Sequence, residues 1–352
     1  MSHARHVAAH DQASGTGRYS APSARSIKLV EHTTASAYQE AFPGEDVGEW
    51  KRAVPQVEVV RIRSSLDRKA QRAMWYHSGS SGLKPLLVVL HSWSARYDQT
   101  LNIPFAEIAI ANDWVFIQPD FRGPNLRPEA AASRLAIQDV LDAVKYAESH
   151  ARVDARRVYL VGYSGGGMKA LILAGQFPQA WAGVVAWGAI YDVPDWYQHN
   201  RNNNDHYAKS IVAACGGVPR PGTKAEAECR RRSPMSHVQG AAGRVPILLV
   251  HGIRDTTVPV RHALLTFDRL AAAPQRFGDS QMSRIDSEMT VPPDLRGGGN
   301  QGGALERLFE QSGLPPLLVR RSQTVTLVIY DGHHDMAYNP TADWLSGQRK
   351  QM

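Results

Sequence analysis

The first residues that could do chemistry are a serine and the glycines that follow it. The stretch RVYLVGYSGGGMKALILAG, residues 157–175, runs from an apolar segment into Ser164, three glycines and a second apolar segment. A serine on a sharp strand-to-helix turn exposes its hydroxyl, and G-x-S-x-G turns of this kind present nucleophiles for acyl transfer. A tight turn that merely needs small residues would give the same pattern. Ser164 is therefore a candidate nucleophile that needs partners elsewhere in the chain.

An acyl-transfer serine needs a base, an acid that orients the base, and N–H donors for the oxyanion. Asp255 follows the apolar run PILLV, within HGIRDTTVPV, and His333 and His334 follow the run TVTLVIY, within DGHHDMAY. Because functional groups gather at the carboxyl ends of strands in open α/β sheets, these side chains can meet Ser164. The chain order serine, aspartate, histidine predicts an α/β-hydrolase with a catalytic triad of Ser164, Asp255 and His334.

Two choices within this triad stay open. His334 is favoured as the base over His333 because an acidic and then an apolar residue follow it. The residue that is not the base would be a supporting or surface imidazole. Asp192 and Asp195 compete with Asp255 for the role of the acid. We interpret these two as residues of a loop that lines the pocket, because Asp255 holds the position after a strand that such a fold uses.

Backbone N–H groups and aromatic side chains complete the predicted site. One oxyanion donor should be the N–H of Gly165, at the positive end of the helix that follows the nucleophile. The second should come from the segment LHSWSARYDQ, at Trp93 or Ser92. The segment YDVPDWYQHNRNNNDHY is predicted to be a loop whose aromatic rings could stack on a flat or sugar-like group, although a plain polar surface loop would look similar. The side chains predicted to bind substrate are Tyr163, Trp187, Asp192 and Trp196.

The elements that must position these residues alternate between strands and helices. Eight strand-like runs are separated by helical stretches, and the first two, residues 57–64 and 72–78, form a predicted hairpin. This order predicts an α/β fold with a mainly parallel, doubly wound, eight-stranded sheet and helices on both faces. Residues 1–54 are expected to be a partly disordered tail and residues 55–348 one catalytic domain. Residues 273–317 are too long for an ordinary connection, so we expect a lid-like insertion or a disordered surface excursion.

Composition and charge set limits on the class of protein. The apolar share of 43% and the charged share of 21% are typical of a globular protein, and no apolar run is long enough to predict a membrane span. The net charge is +7, but the one tight basic run, at 230–232, has no interleaved aromatic residues or nucleic-acid motif. We therefore predict no nucleic-acid partner, and likewise no metal and no cofactor. The oligomeric state is left open.

The two cysteines bear on the compartment. Cys215 and Cys229 flank a turn-rich stretch and could either close a loop disulfide or remain free thiols. A disulfide would favour a secreted or periplasmic location, since such bonds persist in oxidising compartments. The first thirty residues lack the apolar core of a secretion signal, so the location stays open.

The chain resembles the catalytic domain of the prolyl oligopeptidase family, within the α/β-hydrolase superfamily. The matching stretches span about residues 57–345 and are VVLHSWS, QPDFRGPN, DARRVYLVGYSGGGMKAL, CRRRSPMSHV, VPILLVHGIRDTTVPV and YDGHHDM. The resemblance implies the triad named above, oxyanion donors at Trp93 and Gly165, and an ion pair through which Arg122 braces its loop. The larger peptidases of this family carry a β-propeller before the catalytic domain, and the segment before the third strand is too short to form one. Single-domain relatives are often carboxylesterases.

These observations predict a metal-independent serine hydrolase that cleaves carboxylic ester bonds through an acyl-enzyme. The expected substrate is a small or polysaccharide-linked ester, or a short peptide. The first alternative is a serine peptidase or amidase of the prolyl oligopeptidase type, because the same triad and oxyanion chemistry serve both reactions. The alternative from another class is a non-catalytic binding module on the same fold, which the presence of all three triad residues disfavours.

Overall fold

A computed structural model describes residues 27–41, 46–203, 205–295 and 303–350. Within these residues the chain forms one sheet, whose strands are β1 Glu58–Arg63, β2 Ala70–Tyr76, β3 Lys84–Leu90, β4 Val115–Pro119, β5 Val153–Tyr163, β6 Gly183–Trp187, β7 Ile247–Gly252, β8 Pro316–Ser322 and β9 Val325–Tyr330. Their spatial order is β1-β2-β4-β3-β5-β6-β7-β9-β8. The six strands from β4 to β9 in that order are parallel, and antiparallel pairs close both edges.

The helices cover both faces of the sheet, which confirms the predicted α/β class. They are α1 Ala35–Ala41, α2 Val47–Ala53, α3 Ile103–Ala111, α4 Arg134–His150, α5 Gly165–Gln176, α6 Val193–Asn203, α7 Asp205–Cys215, α8 Lys224–Arg231, α9 Arg261–Leu270, α10 Asp279–Ser287, α11 Ala304–Gln311 and α12 Tyr338–Ser346. Alternate residues of β3 enter different cores: Leu86 and Val88 pack with α4, α5 and α9, whereas Leu87 and Val89 pack with α3 and α12. This period of two is what a strand buried on both faces requires.

The sheet of the described residues has nine strands rather than the predicted eight. The additional strand, β8, pairs antiparallel with β9 at the edge of the sheet. Its sequence, PLLVRRS, begins with proline and carries two arginines, so it lacks the apolar run that marks the central strands. Charged residues and proline are common on edge strands because they discourage pairing with other chains. The proline and arginines that suit an edge strand therefore removed the apolar pattern from which a strand is predicted.

The predicted loop after β6 is helical, and the described parts of the expected tail and of the insertion each contain helices. Part of the expected tail folds onto the sheet as α1 and α2, where Tyr38 and Trp50 are almost fully buried and the indole N–H of Trp50 donates to the Asp98 carbonyl at 3.1 Å. Residues 1–26 and 42–45 of the predicted tail lie outside the described residues. The predicted aromatic loop after β6 instead forms helices α6 and α7. In the insertion, α10 and α11 bury Ile285 and Phe309, while its glycine-rich middle lies outside the described residues.

The segment between β6 and β7 forms a small cap of three helices, α6, α7 and α8. A disulfide joins Cys215, the last residue of α7, to Cys229 in α8. This settles the open choice between a disulfide and free thiols, and it ties the two helices together. No helix in the described parts of the chain is both long and apolar enough to cross a membrane.

Candidate active site

The strand-to-helix turn holds Ser164 in an unusual backbone conformation. Ser164 lies between β5 and α5 with φ 57° and ψ −120°, a region that residues with a side chain rarely adopt. Its N–H donates to the carbonyl of Trp187 at 2.8 Å, which anchors the turn to the end of β6. Strain of this kind persists only where the surroundings enforce it, and it is common at functional sites. The turn therefore has the geometry of a nucleophile elbow.

The carboxylate of Asp255 lies next to the imidazole of His334. The distance between Asp255 Oδ2 and His334 Nδ1 is 2.5 Å. The imidazole packs on Gly188, just past β6: a Cβ atom there would lie 2.8 Å from His334 Cε1 and 3.5 Å from Asp255 Oδ2. Since the residue before Gly188 holds the N–H of Ser164, the serine and the histidine lie at the end of the same strand.

Asp255 is held in its ionised form by several donors. Oδ1 accepts the backbone N–H groups of Thr257 and Val258, both at 2.9 Å, and Oδ2 also lies 3.2 Å from Nε2 of His251. Burial raises the pKa of Asp255, but the charge of His334 and the hydrogen bonds from His251 and His334 outweigh it. The pKa of Asp255 is therefore held well below its ordinary value. Sequence reasoning missed His251, although its position at the end of β7 was a usable signal.

The two candidate histidines occupy different surroundings. His333 is exposed, and its Nδ1 lies 2.9 Å from the backbone carbonyl of Arg254 rather than against the Asp255 carboxylate. His334 also contacts Tyr163, whose hydroxyl donates to the His334 carbonyl at 3.0 Å and whose ring centroid lies 4.7 Å from the imidazole. The geometry therefore favours His334 as the partner of Asp255. Tyr163, predicted to bind substrate, lies in the site and contacts the candidate base.

The backbones of Gly165 and Trp93 are in contact. A Cβ atom on Gly165 would lie 2.7 Å from Trp93 Cα and 2.8 Å from Trp93 N, so only glycine allows this approach. Among the described residues neither of these two N–H groups has an acceptor, and that of Gly165 opens α5. The N–H of Ser92, the other candidate donor, is occupied by Gln99 Oε1 at 2.9 Å. The pair of free donors is therefore Gly165 and Trp93.

The indole of Trp93 is fixed by the cap. Its Nε1 donates to Ser210 Oγ on α7 at 2.8 Å, and its ring meets Trp196 of α6 edge-on at 4.8 Å. Trp196 is fully buried and donates to the carbonyl of Thr257 at 2.8 Å, so it supports Trp93 rather than offering a free stacking face. Tyr207 packs on Trp196 at 5.0 Å, and burial together with the charge of Asp255 raises the pKa of its hydroxyl. Tyr207 belongs to this aromatic cluster, which sequence reasoning missed.

Two other residues that the sequence predicted to bind substrate, Trp187 and Asp192, contact the core and the start of α6 instead. The indole of Trp187 is fully buried and donates to Thr341 Oγ1 at 2.8 Å, on the core side of the sheet. Asp192 precedes α6, where one carboxylate oxygen lies 3.4 Å from the N–H of Asp195, and burial raises its pKa. Asp195 instead pairs with Arg261 at 2.9 Å. The structure does not bring these three side chains to Ser164 and His334.

The loop after β4 is braced as the resemblance implied. Arg122 is buried, and its guanidinium contacts Asp139 at 2.5 Å and Asp67 at 2.7 Å. These ion pairs link the loop to α4 and to the β1–β2 turn. A separate feature is a cleft of about 560 Å³ beside the loop that carries Asp255, lined among others by His199, Asn203 and Arg261.

Comparisons with known proteins identify a family and several relatives. The model of the prolyl oligopeptidase family matches residues 107–289. The uncharacterized peptidase YtmA of Bacillus subtilis is 27% identical over 133 residues, which are 38% of this chain and 48% of YtmA. The mouse acylamino-acid-releasing enzyme is 26% identical over 148 residues, which are 39% of this chain and 18% of that enzyme. The match thus spans about half, or less, of the length of these relatives.

A solved structure shows the same fold. The acylaminoacyl peptidase of Pyrococcus horikoshii, in its orthorhombic crystal form, superposes with a TM-score of 0.52 at 13% identity, over 83% of this chain and 40% of that chain. The region matched by the family model covers just over half of the 352 residues and contains both the elbow and the loop of Asp255. On that match, the chain belongs to the prolyl oligopeptidase family.

Proposed function

We propose that the protein is a serine peptidase that cleaves acyl-amino-acid bonds in short peptides whose amino end is blocked. The observation that carries the proposal is the 2.5 Å contact between His334 and Asp255 beside the strained Ser164. Together with the family match, this arrangement supports nucleophilic catalysis by Ser164. It departs from the main prediction from sequence, an esterase, and takes up the first alternative, a serine peptidase, because the family and the named relatives favour that alternative.

In the proposed mechanism, Nε2 of His334 accepts the proton of Ser164 as Oγ attacks the substrate carbonyl. Nδ1–H donates to Asp255, whose low pKa keeps it ionised and able to stabilise the imidazolium. The N–H groups of Gly165 and Trp93 would bind the oxyanion, which they can do without reorganisation because their backbones are already in contact. His334 then returns the proton to the leaving amine, and water releases the acyl group through the same base.

The relatives and the charges around the site favour a peptide with a blocked amino end over an ester or a free peptide. The names of the matched relatives describe peptidases and an enzyme that releases acylamino acids. A free amino end would need a carboxylate to receive it. The two candidates from the sequence are engaged, since Asp195 pairs with Arg261 and Asp192 is buried with a raised pKa. An acylated amino end carries no charge and needs no such partner.

The proposal is tested by comparing three substrates: N-acetyl-alanine p-nitroanilide, alanine p-nitroanilide and p-nitrophenyl acetate. We expect the acetylated anilide to be cleaved with a higher kcat/KM than the free anilide. Ser164→Ala should abolish turnover and labelling by a fluorophosphonate probe, whereas Ser149→Ala, an exposed serine of α4, should change neither. Labelling that survives in Ser164→Ala would disprove the hydrolase assignment. Turnover of the ester alone would disprove the peptidase assignment and leave an esterase.

A further inference from the structure

A lysine is buried directly beneath the elbow. Lys169 lies in α5, is fully inaccessible to solvent, and its Nζ is 3.5 Å from the carbonyl oxygen of Gly165. The same Nζ lies 4.8 Å from the ring centroid of Phe121. Among the described residues no aspartate or glutamate forms an ion pair with it. The chain thus holds a buried amine whose polar contacts are one long hydrogen bond and the face of one ring.

Burying Lys169 at this position costs free energy that a residue needed only for packing would not cost. A buried ammonium without a carboxylate loses its hydration with little in return, and the start of a helix disfavours positive charge. A methionine could fill a similar volume without either cost. The position therefore calls for an explanation in terms of charge rather than packing.

A row of contacts connects Lys169, through Phe121 and His91, to the segment that carries the oxyanion donor Trp93. Phe121 stacks on His91 with ring centroids 3.9 Å apart, and the two ring nitrogens of His91 lie 2.9 Å from the Ser92 carbonyl and 2.8 Å from the Asp120 carbonyl. Burial, and then the charge of Lys169, lowers the pKa of His91 to about 3. His91 is therefore neutral near pH 7. Lys169 is the group in this stack that can carry a positive charge there.

We propose that Lys169 is a positioning residue of the oxyanion site. Its ammonium donates a hydrogen bond to the carbonyl of Gly165, which fixes that residue. It also places a buried positive charge behind the N–H groups of Gly165 and Trp93. That charge stabilises the oxyanion when it forms and is unused in the ground state, so it raises kcat rather than substrate affinity. This inference rests on the proposed function.

The pH dependence of kcat follows from Lys169 and from the charged groups at and next to the stack of His91 and Phe121. Burial lowers the pKa of Lys169 to about 7, so the charge is lost as pH rises through neutrality. His91 is already neutral, and Arg122 keeps its charge because Asp67 and Asp139 pair with it. Burial raises the pKa of Asp120, whose carboxylate accepts the N–H of Tyr97. The wild type should therefore lose kcat on the alkaline side of neutrality as Lys169 deprotonates.

The test compares Lys169→Met with Lys145→Met, a control at an exposed site of α4 that removes the same charge. Substrate turnover is measured from pH 5.5 to 9 and the melting temperature is measured for each variant. We expect Lys169→Met to lower kcat about tenfold with KM unchanged, less than the loss of a direct oxyanion donor. The alkaline decline of kcat should disappear, and the melting temperature should stay the same or rise. Lys145→Met should match the wild type.

Different results would refute the role of Lys169 and the proposed function. A Lys169→Met enzyme with wild-type kcat and an unchanged pH profile would overturn the inference, and so would a variant that loses activity only in step with its melting temperature. If the variant does not fold, the wild-type profile decides, because a kcat that is flat above pH 7 would exclude a titrating Lys169. Ser164→Ala is run in parallel. Activity that survives it would refute the proposed function itself, whereas a silent Lys169→Met with an inactive Ser164→Ala would refute only the role of Lys169.

Discussion

Replacing both Cys215 and Cys229 by alanine should lower the free energy of unfolding by about 3 kcal/mol. The disulfide joins residues 14 positions apart, and closing a loop of that size in the unfolded chain accounts for about this much stability. With a urea m-value of roughly 3 kcal/mol/M for a chain of this size, the unfolding midpoint should fall by about 1 M. Both residues are buried, so the variant also loses packing contacts, which adds to the destabilisation.

The assay is equilibrium unfolding in urea, followed by tryptophan fluorescence, with and without a phosphine reductant. Reduction of the wild type should lower its midpoint to near that of the double-alanine variant, and the variant should not respond to the reductant. Because α7 ends at Cys215 and carries Ser210, which holds Trp93, turnover should fall with reduction as well. A wild type whose thiols are shown to be free but whose midpoint is unchanged would refute the reasoning that this bond stabilises the cap.

Three further predictions concern the site. His334→Ala should reduce kcat by about 10⁴-fold or more while His333→Ala leaves it within about twofold, measured with the acetylated anilide; the reverse result would move the base to His333. Ser210→Ala leaves the buried indole N–H of Trp93 unpaired, so the free energy of unfolding in urea should fall by about 1–3 kcal/mol. An unchanged free energy of unfolding would mean that water or a new partner replaces the hydroxyl. The pKa of Asp255 is lowered on folding, so its contribution to stability is present above the unfolded pKa and is lost as pH falls through the acid range toward its folded pKa. Stability of Asp255→Asn should therefore depend less on pH below about pH 4 than that of the wild type, and equal slopes in acid unfolding curves would contradict this.

The sequence predicted the parts of the site that depend on strand ends. Ser164, Asp255 and His334 each follow an apolar run, and a parallel sheet brings such positions to one edge regardless of the details of packing. It could not choose between Trp93 and Ser92 as oxyanion donor, because the choice depends on a side chain seven residues later: Gln99 occupies the N–H of Ser92.

Helices α1, α2 and α6 could not be predicted from the sequence, because tertiary contacts rather than local sequence patterns stabilise them. The amide-rich segment after β6 has a polar, loop-like composition, yet it is helical because Trp196 packs on Trp93 and anchors α6 to the sheet. The folding of α1 and α2 likewise depends on a few large side chains, Tyr38 and Trp50, which carry no periodic signal over seven residues. Local propensity is weak at such lengths, and burial decides the outcome.

Three costly features of this molecule lie near the ends of β5 and β7. Ser164 is held in a strained conformation, Lys169 is buried beneath it without a carboxylate, and Nδ1 of His251 is buried without a hydrogen-bond partner among the described residues. Each of these costs could be relieved by a substitution, since apolar or glycine replacements are available. Their persistence in one place is explained if the site needs a fixed hydroxyl, a buried charge and an oriented acid. Substitutions that relieve them are therefore expected to stabilise the protein and to slow turnover together, the trade-off that strained active sites produce.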